Sequence, residues 1–154
     1  MRTMTRRSML AAACLGLAMP VWAAKPDEKP KVKVEFRRAE TKNADGLTPA
    51  TVAGTDEKIY LHATADATTA DIADARAAVD AAGNPVIEVT FTKGGAKKME
   101  VLSEKHQGKP LAILIDSKVV SAPVVRVKFS DKAEITGKFT KEEVEKIVKA
   151  INAK

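Results

Sequence analysis

The run GKPLAILIDSKVVSAPVV, residues 108–125, constrains the fold more than any other part of this chain. Leu111 to Ile115 is unbroken apolar sequence, too short for a buried helix and the right length for a central strand covered on both faces. The chain must therefore place protein on two sides of this strand. Asp116-Ser117-Lys118 interrupts the run as a turn does. A second apolar stretch follows, in which Val119, Val120, Val124 and Val125 surround a Ser-Ala-Pro break. Proline cannot donate to a sheet ladder, so Pro123 puts this stretch at an edge or a bulge. Residues 37–58 can cover that edge, or a strand from another chain can pair with it.

The remaining pattern supplies the other elements. Val32 to Phe36 alternates, as do Ile59 to Ala63 and Val86 to Thr92, and each reads as a half-buried strand. Residues 37–58 are rich in Gly, Pro, Asn, Asp and Thr and read as a long surface loop. Ala67 to Pro85 reads as an alanine-rich helix, capped by Thr68 or Thr69, with Ile72, Ala75, Val79 and Ala82 as a narrow stripe. Gly83-Asn84-Pro85 ends it. Gly94-Gly95 opens a second helix with Ala96, Met99 and Leu102 inward, and Gly108 stops it. Val125 to Phe129 alternates as a further strand, and Glu134 to Gly137 closes the sheet region. The last helix carries the sharpest signal: Thr140 and Glu143 form a capping box, and Val144, Ile147, Val148 and Ile151 share one face. The expected fold is α+β, one mixed sheet with short helices packed mainly on one face.

The first residues stand apart from this domain. Arg2, Arg6 and Arg7 precede an apolar run from Met9 to Val21 and then Val21-Trp22-Ala23, the layout of a secretory leader cut between Ala23 and Ala24. Thr5 to Leu10 also fits a twin-arginine signal, and general and twin-arginine export both remain open. Residues 1–23 are thus read as leader, 24–31 as a flexible spacer and 32–154 as the domain. The expected location is periplasmic or secreted, with no stable membrane span in the mature chain. Without the leader's arginines the net charge falls from +6 to +3, with both signs interspersed. Nucleic-acid binding needs a basic stripe instead. The single cysteine, Cys14, lies in the leader, so the mature chain relies on its core and not on an internal disulfide.

Few residue sets suggest chemistry. His62 and His106 are the only histidines, and neither has cysteines or carboxylates at metal-ligand spacing. Asp116-Ser117 has no base nearby in sequence and reads as a turn. Gly94-Gly95-Ala96-Lys97-Lys98 lacks the spacing of a phosphate loop, so its glycines read as a tight strand-to-helix connection. No catalytic residue, cofactor or metal is expected.

Gly95-Ala96 with Met99, then Gly108 to Asp116, then Val119-Val120-Ser121-Ala122-Pro123, then Ile135 to Glu143 occur in this order. They resemble the head subdomain of the first periplasmic domain of SecD, the preprotein translocase subunit. Val34 to Arg37 is similar to the strand leading into that head, and Ala65 to Pro85 to its first helix. Asp116-Ser117 departs from the family's usual Asp-Gly turn. The resemblance covers nearly all of the expected mature chain and none of the base subdomain, membrane bundle or proton-coupling acid. It implies a stand-alone, exported, non-catalytic module that contacts extended or unfolded polypeptide outside the membrane. Val119, Val120, Pro123, Val124 and Val125 are then the candidate binding residues. The alternatives are a docking or regulatory partner of an envelope complex, or a small hydrolase using Asp116 or His106.

Overall fold

The central strand is buried on both faces, as its composition requires. In the computed structural model, which describes residues 31–153, all five residues Leu111–Ile115 are buried. Leu111, Ile113 and Ile115 point into the main core, while Ala112 and Leu114 point into a second core with Ala39, Val52, Ile59, Leu61 and Val119. The two-residue period of a strand thus separates two apolar clusters. The leader, the Ala23–Ala24 site and the spacer up to residue 30 lie outside the described residues.

The elements run β1 (Val34–Glu40), β2 (Thr48–Thr51), β3 (Lys58–Leu61), β4 (Ala67–Thr68), a 3-10 turn (Thr69–Asp71), β5 (Ile72–Val79), β6 (Pro85–Phe91), α1 (Lys93–Lys105), β7 (Leu111–Ile115), β8 (Lys118–Ser121), β9 (Lys132–Ile135) and α2 (Lys141–Asn152). The class is α+β, as expected. The strands form two sheets, however, and every strand pair is antiparallel. One sheet runs β2-β3-β1-β7-β8, with β4 also on β1, and the other runs β5-β6-β9. The main core draws Phe36 and Ile113 from the first sheet, Ile87 and Ile135 from the second, Met99 from α1 and Ile151 from α2. Phe36 and Phe91 meet edge to face across it, centroids 5.4 Å apart.

The expected single mixed sheet fails for one reason: the helix read over Ala67 to Pro85 is not a helix. It is β4, the 3-10 turn and β5. A crossover helix would have joined parallel neighbours. A strand there makes β5 and β6 a hairpin instead. A register shift between Ile72 and Asp74 explains the misleading spacing. The bulge resets the alternation, so buried Ile72 and Ala75 fall three apart, as on a helix. Val79, expected inward, is exposed. Gly83-Asn84-Pro85 does break the chain, but as the hairpin turn. Gly83 has φ +84°, and the Asp80 carboxylate accepts from the N–H groups of Ala82 and Asn84.

Two further expectations change. The 37–58 segment is not all loop, because residues 37–40 complete β1 and Thr48–Thr51 form β2. Pro49 is admissible there because β2 is an edge strand. Val125 to Phe129 is no strand. Backbone-to-backbone bonds here are confined to residues 123–125: the Pro110–Val124 bridge and the bonds Leu111 N to Pro123 O (2.9 Å), Val125 N to Lys109 O (3.0 Å) and Gly108 N to Val125 O (2.8 Å).

The helices start where expected. Thr92 Oγ1 accepts from Gly95 N at 3.0 Å to cap α1. A side chain at Gly95 would collide with the Asp71 carbonyl, so this glycine lets α1 lie against the 3-10 turn. At α2, Thr140 Oγ1 accepts from Glu143 N (3.2 Å) and Glu143 Oε2 from Thr140 N (2.8 Å), and Val144 and Ile151 are buried.

Candidate functional site

The Asp116-Ser117 turn is a two-residue hairpin loop with both residues in left-handed backbone, φ 49° and 69°. That is the turn whose twist suits adjoining strands. Asp116 Oδ1 accepts from Lys33 N at 2.9 Å, and Asp116 N donates to Lys33 O at 2.9 Å. The Asp116 carboxylate therefore ties the hairpin to the start of β1. His106 lies beyond the other end of β7 and is buried. Its Nε2 sits between the carbonyl oxygens of Ala39 (3.1 Å) and Pro110 (3.0 Å), to which it donates. His62 meets it edge to face at 6.4 Å, with His62 Nε2 3.6 Å from Glu40 Oε1. This contact spans forty-four residues and has no local sequence signal. The geometry gives Asp116 and His106 backbone-holding tasks at opposite ends of one strand.

The candidate binding residues divide between covered and open positions. Val119 is buried, and its carbonyl accepts from Ala53 N at 2.8 Å. This part of the edge is covered by the 37–58 segment. A register shift opposite Ile113 and Leu114 makes Val120 a bulge. Val120 packs against the main core, whereas Val119 lies in the second core and Ala122 packs on it. The regular alternation of residues 119–125 is thus broken at Val120, before Pro123. Val125 is buried, while Val124 and Val127 are 47% and 69% exposed.

These two valines stand on a strap, residues 122–131, that leaves β8 and returns as β9. A groove of about 300 Å³ opens under it. Its floor is Phe36, Leu111 and Ile113, and its walls are Pro123 to Val127, Phe129 and residues 132–134 of β9. Ser103, fully buried on α1, pins the strap: Ser103 Oγ accepts from Phe129 N (3.1 Å) and lies 3.0 Å from Phe129 O. Lys128 Nζ reaches Glu100 at 2.8 Å. At the other end, Ser121 and Thr136 hydroxyls meet at 3.1 Å.

The backbone beside the groove is unpaired on two sides. The bonds flanking the Pro110–Val124 bridge turn the N–H and C=O of Val124 away from residues 109–111. On β9, Phe91 N bonds Asp131 O at 2.8 Å, so by alternation Lys132 and Glu134 turn their backbone groups away from β6. Among the described residues, none of these groups has a hydrogen-bond partner on its outward side. Sequence reasoning placed Pro123, Val124 and Val125 in the candidate set. It missed Val127, Phe129 and the edge of β9, because a wall built from two sheets leaves no periodic trace.

Comparison with known proteins settles the kinship. The model of the family described as SecDF, P1 head subdomain, matches residues 49–153. The chain belongs to the SecDF P1 head family. Among curated proteins, SecD of Aquifex aeolicus is 44% identical over 73 residues, which is 47% of this chain and 15% of that protein. SecDF of Thermus thermophilus is 44% identical over 81 residues, 52% of this chain and 11% of that protein. The chain therefore spans a small part of the relatives it matches. The P1 head fold is shared with two solved structures. One, a crystal structure of SecDF in its super-membrane-facing form, is 29% identical with TM-score 0.65 and covers 79% of this chain and 19% of that one. The other comes from work on SecDF as a membrane component that enhances protein export. It is 27% identical with TM-score 0.64 and covers 81% of this chain and 64% of that one. Among the described residues, no helix is long and apolar enough to cross a membrane, and no group of three or more His, Cys, Asp or Glu is placed to hold a metal ion.

Proposed function

We propose that this chain is a non-catalytic binding module of the protein-export machinery, which contacts extended or unfolded polypeptide outside the membrane. The reading includes export by a cleaved leader to the periplasm or the outer face of the membrane. The observation that carries it is the groove under the strap. It combines an apolar floor, two exposed valines and unpaired backbone groups on both flanks. An extended chain supplies apolar side chains and backbone donors and acceptors with no fixed sequence. Kinship with SecD and SecDF gives the same direction, since one relative is described as enhancing protein export. The family's fold alone does not fix the ligand.

The test is fluorescence anisotropy with a labelled, permanently unfolded peptide rich in apolar residues. Val124→Glu with Val127→Glu should leave the circular dichroism unchanged and abolish binding. Binding that survives both changes sinks the proposal. A pull-down from envelope extract separates the alternative: one tight partner, with no peptide binding, marks a docking or regulatory module.

A further inference from the structure

A second cleft, of about 440 Å³, lies between α1 and the β1/β4 side of the first sheet. It is lined by Arg38, Asp66 and, along α1, Gly94, Lys97, Lys98, Val101, Leu102 and Lys105. Residues 97, 101 and 105 are successive i+4 neighbours and stand in one row. The acids of α1, Glu100 and Glu104, lie off this row and both reach Lys128. The helix thus has a basic side facing the cleft and an acidic side facing the strap.

The charges inside the cleft do not cancel. Its lining has four cations and one carboxylate, Asp66. Asp66 is held by Arg38 at 3.0 Å, and Lys98 is held by Asp71 at 2.8 Å. Lys97 and Lys105 make no ion pair among the described residues, although Lys97 lies near enough to Glu100 to stabilise its charge. Between them Val101 is 44% exposed over buried Leu102. An apolar spot between two unmatched ammonium groups calls for the reverse arrangement in a partner.

We propose that this cleft is a docking site, separate from the groove under the strap, for a partner protein segment in which an apolar side chain is flanked by carboxylates. The apolar side chain enters beside Val101 and Leu102, and the carboxylates meet Lys97 and Lys105. A concave wall with an apolar floor suits an inserted side chain better than a flat lipid surface does. Charged rims raise association rates and suppress wrong partners.

The full chain is titrated against a short labelled peptide in which Phe is flanked on both sides by Glu and Asp. Binding should weaken as salt rises. Lys97→Glu with Lys105→Glu should weaken it at least about tenfold, and Val101→Ser alone by a smaller factor. Binding of the unfolded apolar peptide should be unchanged in these variants, which separates this site from the groove. Circular dichroism checks that the exposed substitutions spare the fold. No binding of the acidic peptide, or binding indifferent to the charge reversal, overturns the proposal. So does sedimentation with vesicles of anionic phospholipid that the reversal abolishes while the acidic peptide stays unbound.

Discussion

Asn152, the last residue of α2, pairs with Ala75 of β5 as a further strand would. Ala75 N donates to Asn152 Oδ1 at 3.0 Å, and Asn152 Nδ2 donates to Ala75 O at 2.8 Å. β5 is an outer strand of its sheet, so one side-chain amide satisfies both backbone groups of an edge residue. Asn152→Ala should cost about 1 kcal/mol, because the site is partly open to water. Asn152→Asp keeps the acceptor but sets a carboxylate against the Ala75 carbonyl, and it should be at least as harmful. Urea melts of the two variants rank them.

Ser117 holds φ +69° in the β7–β8 turn. A residue with a Cβ is disfavoured there by about 1–2 kcal/mol, and glycine escapes that cost. Glycine also adds freedom to the unfolded chain, which offsets part of the gain. Ser117→Gly should therefore stabilise the protein by about 1 kcal/mol and raise its thermal midpoint. A lowered midpoint would mean the serine hydroxyl has a role beyond the turn.

Gly95 is the reverse case. Its conformation suits any residue, but the Asp71 carbonyl occupies the space a Cβ needs. Gly95→Ala should cost about 1–3 kcal/mol by pushing α1 from the 3-10 turn. Because Lys98 and Asp71 bridge the same junction at 2.8 Å, amide hydrogen exchange should quicken at Thr68 to Asp71 and in the first turn of α1.

Two buried carboxylates contribute to the acid response. At Glu35, burial opposes the charged form, but Lys33 and Arg37 outweigh it and hold its pKa below the ordinary 4.5. At Asp71, burial is likewise outweighed by Lys98 and the Thr68 N–H, and the pKa lies below the ordinary 3.8. Lowered folded values stabilise the protein above the ordinary pKa, and this contribution is lost as pH falls through the folded one. Thermal midpoints should drop as pH falls below about 4.5. Glu35→Gln should flatten that drop, whatever it does to the midpoint at neutral pH.

The last helix and the central strand were legible because their signals are local. The Thr140–Glu143 box needs four residues, and the run at Leu111 needs five. β5 was not legible. Its alanines favour a helix by propensity, and the bulge at Ile72–Asp74 imitates a helical stripe. Pairing with β6 along the whole hairpin overrides both. β2 is short and polar and contains Pro49, so nothing in it alternates. The groove was half legible. Pro123 marked an irregular edge, but its floor comes from Phe36, Leu111 and Ile113 and its far wall from β9. Only the folded chain brings these together.

The Ala53–Val119 bond bears on how the protein keeps its own copies apart. Residues 111–120 hold two apolar β runs joined by a turn, and such runs stack with identical copies into fibrils when an edge lies bare. By accepting from Ala53, the outer strand of that stretch spends its carbonyl within the molecule. Lys138 Nζ, bonded to Gly54 O at 2.6 Å, fastens the covering segment from the far side. A chain cut or loosened near Gly54 would then fail by self-association at high concentration well before it failed by unfolding.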